Sequence, residues 1–259
     1  MTGARQLRRY DKALEHSYTF GVFPTLELLT HRPERVRRVV AHSRGERGEG
    51  LARIAKRCAA LGVPFETDDR AVERLAHKGN VYVFGVFEKY ADPPSKTENH
   101  VLLVNPSDNG NLGTVARTML AFGFRDLALL EPAADLFNPH VVRASMGATF
   151  ALRFGYFRNL DEYRAAFSYT LYPFMLDAPR TLGEVAFRPP YTLTFGPEGA
   201  GLPPEYAEVG EGVLIPQSPL VESLNLGVAV GVALYEARAG ASRAARSVGA
   251  SARFRPFER

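Results

Sequence analysis

HVLLVNPSDNGNLGTVAR, residues 100–117, joins the two periodicities from which a parallel α/β sheet is built. The run His100 to Val104 suits a strand, and a polar loop from Asn105 to Gly113 leaves it. Leu112, Val115, Ala116 and Met119 then recur at helical spacing and should face the sheet. Arg117 lies off that stripe, free to project into a crevice or into solvent. Gly113 and Asn111 offer backbone donors near the helix start, a natural place for an anion.

Outward from this stretch the alternation continues. A helix from about Gly113 to Phe122 precedes a strand at Leu127 to Leu130. Further strands are expected at about Ser168 to Leu171, Thr192 to Phe195 and Val213 to Ile215, and a helix from about Leu224 to Ala237. The fold class is therefore α/β, with a mostly parallel sheet whose ligand crevice lies beyond the carboxyl ends of its strands.

Upstream, residues 1–90 read as a small α/β unit behind a basic helix or arm, Met1 to His16. Helices are expected at Thr25 to Thr30, Gly50 to Leu61 and Val72 to His77, with strands at Val36 to Ala41 and Val81 to Phe87. ADPPSKTEN, residues 91–99, is polar and carries two prolines, so it is assigned as a linker. Residues 100–238 form the second unit. Residues 239–259 mix Ala, Ser and Gly with five arginines and read as a flexible basic tail.

Composition narrows the function classes. A hydrophobic content of 46% and a charged content of 23% fit a globular protein with a real core. Cys58 is the only cysteine, which excludes an intrachain disulfide and a cysteine-based metal site, and it falls on an apolar helical stripe. The six histidines are scattered, so no metal is expected. The longest small-apolar run, Leu226 to Tyr235, is too short to span a bilayer and contains Gly227 and Gly231. The N-terminus has no secretory pattern, so the expected compartment is cytoplasmic.

Charge is unevenly spread. Between Arg32 and Arg57 nine Lys or Arg face three acids, a net +6 in a chain whose total is +4. Two readings stand: a patch for a polyphosphate partner such as RNA, or a solvated arginine-rich surface.

Two further strand-end loops complete the pattern. One follows TLTF as Gly196, Pro197, Glu198, Gly199, Ala200, Gly201 and Leu202, where glycines let the backbone approach a flat ligand. It is not the dinucleotide fingerprint, and no P-loop occurs in the chain. The other runs from Ile215 and Pro216 through Glu222, Ser223, Leu224 and Asn225 into a helix of small residues. Ser223 is positioned to cap that helix, and Gly227, Ala229, Gly231 and Ala233 permit close packing. Taken singly, the Gly-rich loop reads as an ordinary turn and the other as the start of a capped, tightly buried helix with no chemistry.

Together and in this order, the three loops resemble the SpoU/TrmH family of SPOUT methyltransferases. Asn111, Gly113 and Arg117 match its Asn-x-Gly-x-x-x-Arg signature, and Gly196, Glu198, Gly201 and Leu202 match its Gly-x-Glu-x-x-Gly-Leu. Ile215, Pro216, Glu222, Ser223, Leu224 and Asn225 match its Ile-Pro … Glu-Ser-Leu-Asn. The segment Asn138 to Gly147 is similar to another family stretch, and FGVFPTLELL to a small RNA-binding module that many members carry. One departure is Gly227, where many members have serine.

The resemblance implies a knotted SPOUT-type catalytic domain working as a homodimer. It implies S-adenosylmethionine as cofactor, ribosomal or transfer RNA as substrate, and methyl transfer to a ribose 2′-hydroxyl. Gly196, Ile215, Leu224 and Gly201 would hold the cofactor, with any Cβ at 196 intruding on the adenine side. Asn111, Glu198, Ser223 and Asn225 would form the polar part of the catalytic site, and Arg117 matches the arginine assigned as catalytic. A guanidinium is a reluctant base, so the expected role of Arg117 is to bind the adjacent phosphate and stabilise developing alkoxide character. The proton goes to water, or to Arg117 if its pKa is strongly depressed. Two other classes are weighed: a catalytically silent RNA-binding protein, and a nucleotide-dependent oxidoreductase on an ordinary doubly wound sheet. The intact polar residues of the three loops oppose the first, and the missing dinucleotide fingerprint opposes the second.

Overall fold

Residues 100–104 form strand β5 (His100–Val104), and all five residues are buried, as the uninterrupted apolar run requires. It lies at the centre of a parallel sheet with β6 (Asp126–Leu130), β7 (Arg153–Phe157), β8 (Thr170–Pro173) and β9 (Tyr191–Phe195). The order is β7-β6-β5-β9-β8. The computed structural model describes residues 7–45, 48–76 and 81–247. Helices α4 (Asn109–Ala121), α5 (Pro139–Ala144), α6 (Leu160–Ala166) and α7 (Leu226–Ser247) complete this unit.

The N-terminal unit is a second sheet of β1 (His16–Phe20), β4 (Val83–Glu88), β2 (Val36–Ala41) and β3 (Phe65–Thr67), in that order. Its pairings are mixed: β4 runs antiparallel to β1 and β2, while β3 is parallel to β2. It carries α1 (Val22–His31), α2 (Glu49–Leu61) and α3 (Asp69–Leu75). Helix α3 begins earlier than its apolar residues indicate because the Asp68 carboxylate accepts from the Ala71 N–H at 2.9 Å, a standard N-cap. The last residue expected in it, His77, lies outside the described residues.

Several expectations are corrected. Of the two forms expected for the N-terminal segment, the described residues Leu7 to Glu15 take the irregular arm and not the helix, and lead into β1, whose Tyr18 is fully buried. Strands β1, β3 and β7 lie outside the strands the sequence predicts. No strand forms at Val213 to Ile215. Val213 and Leu214 make single bridges to Phe174 and Thr181, beyond the end of β8, and Pro216 has no N–H with which to extend a ladder. The flexible tail does not begin at residue 239: α7 continues to Ser247. Ala239 and Ala241 favour helix, and Arg243 pairs with Glu236 across two turns. Residues 248–259 lie outside the described residues.

The two units share one core. Leu28 of α1 and Phe87 of β4 belong to the same cluster as Val101, Leu129 and Phe154 of the parallel sheet. The Phe87 ring meets Phe150 edge-on at 5.0 Å and Phe137 at 5.7 Å. Burying each such ring is worth about 1.5–3 kcal/mol. Polar contacts reinforce the seam: Ser17 Oγ donates to the Phe137 carbonyl at 2.5 Å, and Arg32 Nε to the Phe150 carbonyl at 3.0 Å. Arg32 also pairs with Asp92 and lies over the Tyr90 ring at 4.8 Å. Gly147 packs so tightly on α1 that a Cβ there would come within 2.9 Å of Pro24 Cα. Residues 91–99 are likewise tied down: Phe154 N donates to the Asp92 carbonyl at 2.6 Å, and Ser95 N to Asp126 at 2.7 Å.

Candidate active site

Parallel strands end on one side of their sheet, and that is where the crevice opens. Beyond β8 and β9 lies a cavity of about 270 Å³. Its walls are the segment Phe174 to Asp177 after β8, the loop Gly196 to Leu202 after β9, and part of the stretch from Ile215 to Ala229.

The second loop folds back on itself. Gly201 N donates to the Pro197 carbonyl at 3.2 Å, and Gly201 sits at φ 69°, in the left-handed region that glycine occupies without strain. A Cβ on Gly196 would land on the backbone of Gly201 and Leu202. Glycine at 196 thus has a reason that precedes any ligand: the obstacle is the loop's own returning backbone.

The first loop is held by Asp108, whose Oδ1 accepts from the Asn111 backbone N–H at 2.7 Å and so starts α4 at Asn109. Asn225 rather than Ser223 caps α7, accepting from the Gly227 N–H at 2.9 Å. That bond fixes the orientation of the Asn225 amide, because its oxygen must face Gly227. Its Nδ2 then donates to Asn111 Oδ1 at 2.9 Å, which in turn directs Asn111 Nδ2 to Glu198 Oε1 at 3.0 Å. Glu198 Oε2 is buried and has no hydrogen-bond partner among the described residues. A buried carboxylate oxygen left unpaired costs about 1–3 kcal/mol or more, so the site calls for a donor from a ligand.

Of the nine residues expected at the site, Gly196, Glu198, Gly201, Ile215, Ser223 and Leu224 line the cavity. Asn111 and Asn225 join Glu198 from behind without lining it. Arg117 is not brought to the cavity; it is exposed on α4, and its guanidinium makes no hydrogen bond or ion pair with a described residue. Sequence reasoning missed Phe174 to Asp177, whose signal was available: the expected strand at 168–171 ends beside β9 on the crevice side. The small residues of α7 do what their size permits. Helix α4 crosses at Gly227 and Gly231, where a Cβ would meet Thr114 Cγ2 at 2.7 Å and Thr118 Cγ2 at 3.5 Å.

Among the described residues no group of His, Cys, Asp and Glu is arranged to hold a metal ion, and no helix is long and apolar enough to cross a membrane.

Residues 98–235, a span containing all three loops, match the model of the SpoU rRNA Methylase family. The chain belongs to the SpoU family. It is 37% identical over 153 residues to an uncharacterized tRNA/rRNA methyltransferase of Synechocystis, covering 58% of this chain and 56% of that protein. It is 27% identical over 238 residues to the 23S rRNA (guanosine-2′-O-)-methyltransferase RlmB of Acinetobacter baylyi, covering 85% and 96%. The fold matches that of an AdoMet-bound rRNA methyltransferase from Sinorhizobium meliloti with a TM-score of 0.73, at 27% identity and 87% coverage of both chains. The SpoU match ends inside α7, and the structural likeness extends beyond it on the N-terminal side.

Proposed function

We propose that this chain is an S-adenosylmethionine-dependent methyltransferase acting on a ribose 2′-hydroxyl of ribosomal or transfer RNA. The observation that carries the reading is the unpaired Glu198 Oε2, set in a SpoU loop beside a cavity at the carboxyl end of a parallel sheet. Support also comes from relatives whose names specify 2′-O-methylation of RNA and from an AdoMet-bound neighbour of the same fold.

The residues present suit the cofactor. Phe195, Ile215 and Leu224 give apolar walls for an adenine ring, and Gly196 to Leu202 present backbone groups to its polar edge. When bound, S-adenosylmethionine supplies a methyl group on an electrophilic sulfonium. The protein's task is then alignment and exclusion of water. Asn225 and Asn111 hold Glu198 in one orientation, and Glu198 with Ser223 supplies the polar contacts beside the reacting atoms. Arg117, exposed on α4 outside this cavity, would act only on RNA that extends to it, binding the phosphate next to the acceptor ribose.

The working unit is a homodimer. Val228, Val232 and Tyr235 are 51%, 38% and 62% exposed at one-turn spacing on α7, an apolar stripe a second copy would cover. The knotted crossing expected of the fold falls within the stretch from β9 to α7, and the compartment is cytoplasmic. The domain roles are a 1–90 RNA-binding unit and a 100–238 catalytic unit.

Calorimetry with S-adenosylmethionine, followed by labelled methyl transfer to undermodified RNA, tests the reading. Label recovered in alkali-resistant dinucleotides is the expected result, because a 2′-O-methyl group blocks cleavage at its own linkage. Absence of both binding and transfer overturns it.

A further inference from the structure

A second cavity, about 300 Å³, lies at the seam between the units and shares no residue with the cavity beyond β9. Segments from both units build it, with Leu75 of α3 and Val81 adding to its lining. The N-terminal arm contributes Arg9 and Tyr10, β1 contributes Tyr18 and Phe20, and α5 contributes His140 and Arg143. The arm is fixed in place: the Tyr18 hydroxyl donates to the Arg8 carbonyl at 2.5 Å, Tyr10 bonds Asp135, and Lys89 Nζ sits 4.8 Å above the Tyr10 ring.

The lining has a definite chemistry. None of its residues is acidic, and the guanidiniums of Arg9 and Arg143 make no hydrogen bond or ion pair with a described residue. Tyr18 and Phe20 lie nearly parallel, 21° apart with centroids at 6.0 Å, so the buried Tyr18 backs the half-buried Phe20 ring, whose face lines the cavity. Two unpaired forks suit the oxygens of a phosphodiester, and aromatic faces suit an unstacked base. The cavity is also coupled to the candidate active site. Helix α5 lies so close to α4 that a Cβ on Gly113 would come within 2.8 Å of the Val141 carbonyl and 2.9 Å of Ser145 N. Arg143 is thus carried on an element braced against the helix that bears Asn111 and Arg117.

We propose that the seam cavity holds one single-stranded nucleotide of the RNA, other than the methylated one. Its base rests on the Phe20 ring, which the buried Tyr18 backs, and its phosphate lies between Arg9 and Arg143. The proposal rests on the RNA reading above and adds a site that fixes the register of the RNA.

The test uses the full chain and a fluorescent oligouridylate of about ten nucleotides, within the site sizes of single-strand binders. An abasic oligomer of the same length is the comparison. Replacing both arginines, Arg9→Gln with Arg143→Gln, is expected to weaken oligouridylate binding roughly tenfold and flatten its salt dependence. Phe20→Leu keeps apolar volume but removes the ring, and is expected to erase the preference for oligouridylate over the abasic oligomer. S-adenosylmethionine affinity, measured on the same samples, should not move, and the melting temperature should fall only slightly, in Phe20→Leu, where the ring leaves its contacts with Tyr18 and Phe84. Unchanged oligouridylate affinity in the double variant overturns the site, as does equal affinity of the wild type for both oligomers. If S-adenosylmethionine binding and methyl transfer are present while those affinities stay unmoved, the seam site alone fails. If the wild type shows neither binding nor transfer, the enzyme reading fails first.

Discussion

The Asn111 amide donates to Glu198 Oε1 at 3.0 Å, joining two loops 87 residues apart and leaving Glu198 Oε2 buried and unpaired among the described residues. Asn111→Ala strands the Glu198 oxygen and releases the Asn225 amide together. An unmade buried hydrogen bond costs about 1–3 kcal/mol, so methyl transfer should fall roughly ten- to hundredfold. Glu198→Gln can keep the bond to Asn111 but then turns a donor toward the cavity where an acceptor stood, and should impair transfer at least as much. Single-turnover transfer rates within a factor of two of wild type for both variants would remove this chain of bonds from the site.

Arg117 stands apart from the cavity, and its expected phenotype follows from that separation. Arg117→Ala should leave S-adenosylmethionine affinity nearly intact while transfer falls by orders of magnitude. Arg117→Lys keeps charge but loses the planar fork, so it should rescue poorly. Calorimetry paired with initial rates separates the two effects, and wild-type turnover in the alanine variant would sink the assignment.

At Gly196 even one methyl group meets the backbone of Gly201 and Leu202. Gly196→Ala should therefore displace the loop and cost S-adenosylmethionine affinity at least tenfold. Leu202 and Tyr206 belong to a buried cluster with Leu102 and Leu130, so a fall of a few degrees in melting temperature should accompany the loss. Gly196→Val should be worse on both counts. An alanine variant with unchanged affinity and stability would mean that the loop yields at no cost.

Because Phe87 packs on Phe137 and Phe150, the catalytic unit does not keep an intact core when residues 1–90 are removed. The truncated chain should be poorly soluble. Phe87→Ala should destabilise the full chain by about 3–5 kcal/mol, with both units melting in one transition. Calorimetric melting that resolves into two independent transitions would contradict a shared core.

The basic stretch is less available than its +6 suggests. Arg32 is spent on the seam, Arg37 pairs with Glu88 at 3.1 Å and Arg38 with Glu66 at 3.4 Å. Exposed cations remain on α2, where Arg53, Lys56 and Arg57 share one face. Reversing these three to Glu should weaken RNA binding and lower its salt slope by up to about three, since each phosphate contact contributes roughly 0.9. Arg37→Glu with Arg38→Glu should change the slope less. Equal slopes in all three proteins, measured by filter binding across salt, would assign the basic face to solvent.

The parallel sheet was legible because strands buried on both faces are written as plain apolar runs, of which His100 to Val104 is one. Strands β3 and β7 were not, since Phe65 to Thr67 is three residues long and Arg153 to Phe157 carries a glycine at its centre. Loop identities were legible residue by residue, but the bonds between them were not: nothing in the spacing of Asn111, Glu198 and Asn225 says that they touch. Asn225 and Ser223 are both good caps, and only the geometry of Gly227 decides between them. The linker was legible in its prolines and polar residues, but the bonds that hold Asp92 and Ser95 to the sheet were not.

Gly147 pressed against Pro24, with Arg32 bonded to Asp92 and to the Phe150 carbonyl, ties the N-terminal unit to the parallel-sheet unit at several points. An arm tied in this way works as a gauge. The span from the basic face of α2 to the cavity beyond β9 is set by that packing. On the proposed RNA reading, selection would then fall on the shape of the target, an RNA presenting its ribose only when its backbone lies at the matching separation. Two RNAs with the same local sequence but different folded outlines would be told apart by distance alone.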